Sequence, residues 1–362
     1  CVGTAVRFFF GNLLPEGQVR QAVARRLGLS EDNDWAMLAA IGGDCAGALS
    51  ILPLGEAPPD TEHWQYTALS RDVLDQLVNH EGQVPLLVGG ATTRLSLAGA
   101  QDKVPVAMFD GRMHLPTHSA PSTHVLKLPN PLYADLTVNE AFVTALAQAA
   151  GLPAVESELA STEPPALLVR RFDRRTSNDT TVRIHQEDFC QALGLNAGRK
   201  YEQEGGPSLA RCADLIRRAS VEPLKDIMTL MRWVSFNLCV GNADAHGKNL
   251  ALLYDPTGIR LAPLYDLVST HAYRRLDPRF AMSVGGERDS EKLQKTHWTT
   301  EAKKLGMSPP VVIRFIKQTA ESVLKAIDKA KITFEQKYGH HLVTDQIEVS
   351  TKRRAQRLLS SL

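Results

Sequence analysis

The sequence predicts an α+β protein of two lobes, and three observations carry that prediction. From Ser96 to about residue 172, strand-like apolar runs surround a single amphipathic helix. After about residue 175 the chain turns mostly helical. Where a long apolar helix ends at Gly241, a polar loop holds Asp244 and Asn249 in the spacing D-x-x-x-x-N. Kinase catalytic loops use that spacing to place a base and a magnesium ligand on one short segment. The order is that of a two-lobed, protein-kinase-like fold with a β-rich N-terminal lobe and a mainly helical C-terminal lobe. It divides the chain into an N-terminal subdomain (residues 1–60), a first lobe (61–173) and a helical second lobe (174–362).

In chain order, the first sixty residues read as helix and turn. Gly17 to Leu27 forms one helix, and Trp35 to Ile41 a shorter one stopped by Gly42-Gly43. Pro58-Pro59 marks a boundary, and Leu69 to Asn79 is a helix capped by Ser70 with Asp72 in its first turn. Val104 to Phe109 and Met113 to Leu115 flank Asp110-Gly111, a strong hairpin signal. His124 to Leu128 is a strand. Val138 to Ala150 is a helix with Val138, Phe142, Leu146 and Ala149 on one face. Strands follow at Val155 to Leu159 and Ala166 to Phe172.

In the second lobe, Leu224 to Val240 repeats Ile227, Leu230, Met231, Val234 and Leu238 at helical spacing, with further apolar residues on its other sides, so this helix is buried. Leu250 to Tyr254 then reads as a strand, Asp255 to Gly258 as a turn, and Ile259 to Tyr265 as the returning strand. A hairpin brings its ends together, so Asn249 and Asp266 are expected side by side. Pro309 to Lys337, opened by Ser308 as cap, and Asp345 to Leu359 are long helices.

The bulk composition excludes several classes. Forty-one basic residues face forty acidic ones, a net charge of +1, so no global field points to nucleic acid or an anionic membrane. Lys352-Arg353-Arg354 with Arg357 is a local basic patch that reads as a solvated helical face. The five cysteines (Cys1, Cys45, Cys190, Cys212, Cys239) have no C-x-x-C spacing, which fits a reducing compartment rather than a disulfide framework or zinc site. No apolar run nears the ~20 residues that span a bilayer. A cytoplasmic protein is expected, although a chain beginning at Cys1 rather than Met could lack a targeting segment.

Four groups carry the chemistry. Lys127 stands in an otherwise apolar strand, where an unpaired ammonium is costly, so it must face solvent or an anion. In kinases such a lysine meets the α/β-phosphates and a helix glutamate. Glu140 is the candidate glutamate, yet Thr137-Val138-Asn139-Glu140 is equally a capping box. Ser96 to Lys103 is rich in small residues whose backbone N–H groups could cradle phosphates, but with a single glycine it reads on its own as a tight turn. Asp244, His246 and Asn249 could also ligate a metal in a hydrolase or cap the following turn. Their place after a buried helix and the expected Asn249–Asp266 pairing favour phosphoryl transfer.

With those residues in view, the chain resembles the HipA family, kinase toxins of bacterial toxin–antitoxin modules. The likeness rests on Asn12-Leu13-Leu14-Pro15-Glu16-Gly17, on Ser96 to Lys103 as S-x-x-G-x-Q-x-K, and on Thr123 to Pro129 with Asn139-Glu140. It continues through Arg171-Phe172-Asp173-Arg174, His185 to Gln191, Asp244 to Asn249 and Tyr265-Asp266. The resemblance implies a serine/threonine protein kinase using ATP and Mg²⁺. Asp244 would be the catalytic base, and Asn249 and Asp266 the metal ligands. Lys127, Lys103, Ala98, Gly99, Ala100 and Gln101 would meet phosphates, with His246 and Lys248 helping to hold phosphate and the loop. Backbone near Arg170 and Phe172 would meet adenine. Ser96 would be an autophosphorylation site whose dianionic phosphate ejects the loop. The implied partners are a HipB-like helix-turn-helix antitoxin, operator DNA reached through it, and a translation component as substrate, an aminoacyl-tRNA synthetase by family. Two departures stand out: Arg170 replaces an acidic residue common in relatives, and the family's first strands would lie before Cys1.

Two other readings belong to different classes. D-x-H-x-x-N also resembles the loop of phosphoinositide kinases, which would make this a small-molecule or lipid kinase, but there is no basic amphipathic membrane segment. A non-catalytic co-repressor bound to a DNA-binding antitoxin is the other, and the intact Asp244, Asn249, Asp266 and Lys127 weigh against it.

Overall fold

A computed structural model of the protein describes residues 3–52, 54–56, 64–79, 102–117, 119–177 and 180–362. The expected boundary at Pro58-Pro59 and the loop from Ser96 to Gln101 lie outside the described residues.

The chain opens with three helices, α1 (Thr4–Gly11), α2 (Gly17–Leu27) and α3 (Asp34–Ile41). The first has no counterpart in the sequence reading; the other two stand where the spacing predicts them. Gly28 ends α2 at a φ of 66°, a conformation glycine adopts without penalty, and the Asn33 side chain caps α3 by accepting from the Ala36 amide. Leu13, Leu14, Val23, Met37, Leu38 and Ile41 form their small core.

Strand β1 (Gln65–Ala68) and helix α4 (Arg71–Asn79) follow, with Ser70 Oγ accepting from the Val73 amide. Next come β2 (Lys103–Phe109), β3 (Arg112–Thr117) and β4 (His124–Lys127). Asp110 and Gly111 turn the β2–β3 hairpin with φ of 48° and 72°, as a tight primed turn requires. Helix α5 (Leu136–Ala149) precedes β5 (Ser157–Leu159) and β6 (Leu167–Arg170). Among the described residues these strands make one antiparallel sheet in the order β1-β3-β2-β4-β6-β5.

The sequence reading turns helical too early after residue 175. The hairpin β7 (Arg174–Ser177) and β8 (Thr180–Arg183) and the strand β9 (His185–Asp188) come first. They are short and polar and lack apolar alternation, so periodicity does not reveal them. The helices α6 (Phe189–Ala192), α7 (Leu209–Ala219) and α8 (Pro223–Val240) lead to the hairpin β10 (Ala251–Asp255) and β11 (Gly258–Leu261). Strand β9 pairs with β10 to complete a three-stranded sheet. The returning strand stops at Leu261, short of the expected Tyr265, because Pro263 lacks an N–H and Leu264 pairs instead with Pro153 and Val155.

Helices α9 (Lys295–Lys304), α10 (Pro309–Tyr338) and α11 (Leu342–Ser360) close the chain. Ser308 caps α10 through its carbonyl, which accepts from Val311 and Val312, and not through the side chain. Arg354 leaves the basic patch: it is buried, with Nε donating to the Leu238 carbonyl at 3.2 Å. The principal core gathers around Trp233, Phe236, Trp298 and Phe189 and takes in α5, whose Phe142 ring meets Phe334 of α10 at 5.4 Å. The helix that carries Glu140 is thus fastened to the helical half, while the strand that carries Lys127 belongs to the sheet.

Candidate active site

Helix α8 ends at Gly241, whose φ of 71° turns the chain out of the helix. A Cβ there would lie 3.0 Å from His271, so glycine serves both the turn and the close approach. The next residues are held by their own side chains. Asn242 Nδ2 donates to Asn237 Oδ1 at 2.9 Å, Asn242 Oδ1 accepts from the Asp244 amide at 3.1 Å, and the Ala243 amide donates to Thr270 Oγ1 at 2.8 Å. The Asp244 side chain, presented from this braced turn, is 49 % exposed to the cleft.

The two ends of the β10–β11 segment meet as the sequence reading expects. Asn249 Nδ2 donates to Asp266 Oδ2 at 2.8 Å, and Asn249 Oδ1 accepts from the His246 amide at 3.3 Å. Asp266 adopts a φ of 58°, a left-handed conformation uncommon for a non-glycine residue. Lys127 joins the two halves of the molecule: Nζ donates to Glu140 Oε1 at 2.6 Å and to Asp266 Oδ1 at 2.5 Å. The alternative role of Glu140 in a capping box is not realised, since the N-cap is Asp135 in a left-handed conformation and Thr137 Oγ1 bonds the Pro165 carbonyl.

Burial alone would depress the Lys127 ammonium and raise the Asp266 carboxyl. Their mutual attraction outweighs it, so Lys127 is held above and Asp266 well below their ordinary ranges. Lys103 lies directly across from Lys127 in the β2–β4 register, and such pairs share one face of a sheet. Burial, and then the Lys127 charge beside it, lower the Lys103 ammonium to about 8.

The remaining expected residues divide. His246 is buried with Nε2 3.9 Å from Asp244 Oδ1, and burial lowers its imidazole below the ordinary value. Lys248 is turned toward the N-terminal segment, donating to Asn12 O at 3.0 Å and Asn12 Oδ1 at 2.9 Å, with Glu16 and Asp188 carboxylates at 3.4 and 3.2 Å. Those partners engage its ammonium, so the phosphate contact expected of Lys248 is not part of this arrangement; it tethers the loop. The Arg170 side chain points outward to Glu156 at 2.8 Å, and its amide donates to the Glu156 carbonyl. Phe172 lines the cleft with its ring 5.4 Å from that of Tyr265. Ser96, Ala98, Gly99, Ala100 and Gln101 lie outside the described residues.

Tyr201 and Asp44 have no counterpart in the sequence reading of the site. Tyr201 Oη donates to Asp244 Oδ1 at 2.5 Å. Behind the cleft, fully buried Asp44 receives Arg174 at 2.8 Å, Arg183 at 3.2 Å and Arg171 at 3.3 Å, while Asp173 receives Arg171 at 2.8 Å. This cluster binds the N-terminal helices to the hinge segment. Arg171 and Asp173 stand two residues apart inside the Arg171-Phe172-Asp173-Arg174 motif, but Asp44 and Tyr201 leave no local signal, since their partners lie far away in the chain.

Lys103, Lys127, Glu140, Tyr201, Asp244 and Asp266 line one cleft of about 660 Å³ between the sheet and the helices, with Asn249 buried directly behind Asp266. Its donor set for a cation is an Asn amide and an Asp carboxylate, oxygen ligands suited to a hard divalent ion, and the Asp266 side chain remains 44 % exposed to the cleft.

Comparison with known proteins places the chain among the serine/threonine protein kinases. The HipA-like C-terminal domain matches residues 95–327 and the HipA N-terminal domain matches residues 3–52. The chain belongs to the HipA family. It is 44 % identical over 89 % of its length to Y4mE of Sinorhizobium fredii, provisionally named a kinase, and covers 78 % of that protein. It is 30 % identical to the serine/threonine-protein kinase toxin HipA of Shewanella oneidensis, across 89 % of this chain and 76 % of that one. A solved complex of Shewanella oneidensis HipA with HipB and operator DNA superposes with a TM-score of 0.84 at 28 % identity, covering 99 % of this chain and 86 % of the other.

Proposed function

We propose that this chain is an ATP- and Mg²⁺-dependent serine/threonine kinase toxin whose chemistry runs through Asp244, Lys127, Asn249 and Asp266. The observation that carries the reading is the bridge from Glu140 through Lys127 to Asp266, with Asn249 bonded to the same carboxylate. It joins sheet, helix and catalytic loop around one point, the arrangement phosphoryl transfer demands. Asp244 accepts the proton of the acceptor hydroxyl as that oxygen bonds the γ-phosphorus. The bond from phosphorus to the β-phosphate oxygen breaks, and ADP leaves. Lys127 holds phosphate oxygens and Glu140 fixes Lys127. Lys103 adds a second positive charge, and residues 98–101 close over the phosphates. His246 lies behind Asp244, and backbone near Arg170 and Phe172 meets adenine. Asn249 and Asp266 would hold the metal ion, which when bound neutralises phosphate charge.

The acceptor is a translation component, an aminoacyl-tRNA synthetase by family, so activity arrests growth. Ser96 is an autophosphorylation site that switches the enzyme off. A HipB-like antitoxin binds the chain and carries it to operator DNA, as the HipA of the related complex accompanies HipB on its operator. A translation target and a DNA-bound partner both set its work in the cytoplasm. Residues 1–60, 61–173 and 174–362 act as partner-facing subdomain, nucleotide lobe and catalytic lobe.

Intact-mass spectrometry after phosphatase treatment and incubation with Mg²⁺-ATP tests this reading on wild type, Asp244→Asn and Ser96→Ala. One added phosphate in wild type alone, mapped to Ser96, is the expected result. No phosphate on any form, together with no ATP binding, would leave only a non-catalytic role.

A further inference from the structure

We propose that Tyr201 is a positioning residue for Asp244, an assignment that rests on the reading of Asp244 as the base. The Tyr201 hydroxyl donates to Asp244 Oδ1 at 2.5 Å, which leaves the other carboxylate oxygen for the acceptor hydroxyl. A half-exposed aspartate samples several rotamers, and a charge-assisted hydrogen bond selects one. Fixing the base costs conformational freedom before reaction rather than during it, which is how positioning contributes to rate.

The hydroxyl is placed there by backbone. Tyr201 precedes a short 3₁₀ turn, and its carbonyl accepts from the Gly206 amide at 2.9 Å. A Cβ on Gly206 would lie 2.6 Å from that carbonyl oxygen, so only glycine closes the turn so tightly. The adjacent Lys200 carbonyl accepts from the Gly247 amide at 3.1 Å, inside the catalytic loop itself. Lys200 Nζ donates to Glu16 Oε2 at 2.8 Å, and Glu16 belongs to the N-terminal segment. The Tyr201 and His246 rings meet nearly at right angles with centroids 5.2 Å apart. Tyr201 is therefore clamped from the catalytic loop on one side and from the N-terminal helices on the other, with its hydroxyl on the base.

The test uses the full chain, single-turnover transfer from Mg²⁺-ATP to dephosphorylated casein, and calorimetric ATP binding. Tyr201→Phe keeps the ring and removes the donor. Its transfer rate is expected to fall by about tenfold, the scale of one hydrogen bond to a charged group, with ATP affinity and melting temperature unchanged. On an Asp244→Asn background the same change should leave the residual rate unaltered, because the partner charge is already gone. With 3-fluorotyrosine at position 201, the fluorine signal should titrate at lower pH in Asp244→Asn than in wild type. A wild-type rate in Tyr201→Phe overturns the assignment and leaves Asp244 as base. A rate loss that tracks lost ATP affinity and melting temperature overturns it in favour of a purely structural role. Wild-type transfer by Asp244→Asn overturns the base reading and the assignment with it.

Discussion

Lys103 offers a quantitative check on the cleft because its charge is unsettled near neutral pH. It faces Lys127 across the β2–β4 pair, and burial together with that neighbouring ammonium brings it down to about 8. A nucleotide polyphosphate placed between the two lysines reverses the balance and holds Lys103 protonated. Binding then takes up a proton, so affinity must weaken as pH rises through the free-state value. A group titrating at about 8 is charged in roughly nine molecules of ten at pH 7 and in about one of eleven at pH 9. The dissociation constant of ATP should therefore rise by about tenfold between those pH values, or ~1.4 kcal/mol. Solvent reaching this part-exposed residue screens the effect, which makes tenfold the upper bound.

The window isolates Lys103. The last phosphate ionisation lies near pH 6, below it, while Lys127 is held above its ordinary range. Titration calorimetry in two buffers of different ionisation enthalpy should report uptake of about half a proton at pH 8. Lys103→Met should bind ATP more weakly at pH 7 and show no slope between pH 7 and pH 9. A wild-type constant that moves less than twofold across this range, or a slope that survives in Lys103→Met, would refute the placement of Lys103 on the phosphates.

Other outcomes follow from the same geometry. Asp44→Asn leaves three guanidinium groups without their shared carboxylate and should cost about 3–5 kcal/mol in urea unfolding. The Asp44 carboxyl, although burial opposes it, is held well below its usual range by Arg174 and its neighbours; its stabilisation is thus full above about pH 4 and lost only at strongly acid pH. Gly47→Ala meets both a φ of 75° and a Cβ position 2.8 Å from the Gln186 amide, so a loss of ~1–3 kcal/mol in the same assay is expected. Chelation with EDTA should abolish phosphate transfer in wild type, with Mg²⁺ restoring it, whereas Asp266→Asn should stay inactive at any Mg²⁺ concentration.

What the sequence discloses here depends on whether the deciding physics is local. Helix α2 is legible to the residue because Gly28 stops it and its apolar stripe is regular. The Asp110-Gly111 turn is legible because few residues accept its backbone angles. The pairing of Asn249 with Asp266 is legible too, since a hairpin closes its own ends even where its second strand is cut short at Pro263. The role of Glu140 is not, because a capping box and a lysine partner make the same local pattern. The choice between them depends on Asp135 taking over the N-cap. Strands β7 and β8 escape sequence reasoning because Arg174-Arg175-Thr176-Ser177 has no alternation to read. Arg174 instead reaches Asp44, a carboxylate 130 residues earlier in the chain. Tyr201 shows the limit most plainly, since nothing within several residues of it indicates that its hydroxyl meets Asp244.

The N-terminal helices bear on the cleft from outside it. Asn12 and Glu16 stand against Lys248 and Lys200, which flank Asp244 from the loop that carries it and from the turn that carries Tyr201. Asp44 gathers three arginines at the hinge, and the Gly47 amide donates to Asp173 at 2.7 Å. Contacts from residues 12–47 thus reach both the hinge and the catalytic loop, each through a charged or buried group that is expensive to leave unpaired. Any force that shifts these helices must break those contacts or carry the loop with it.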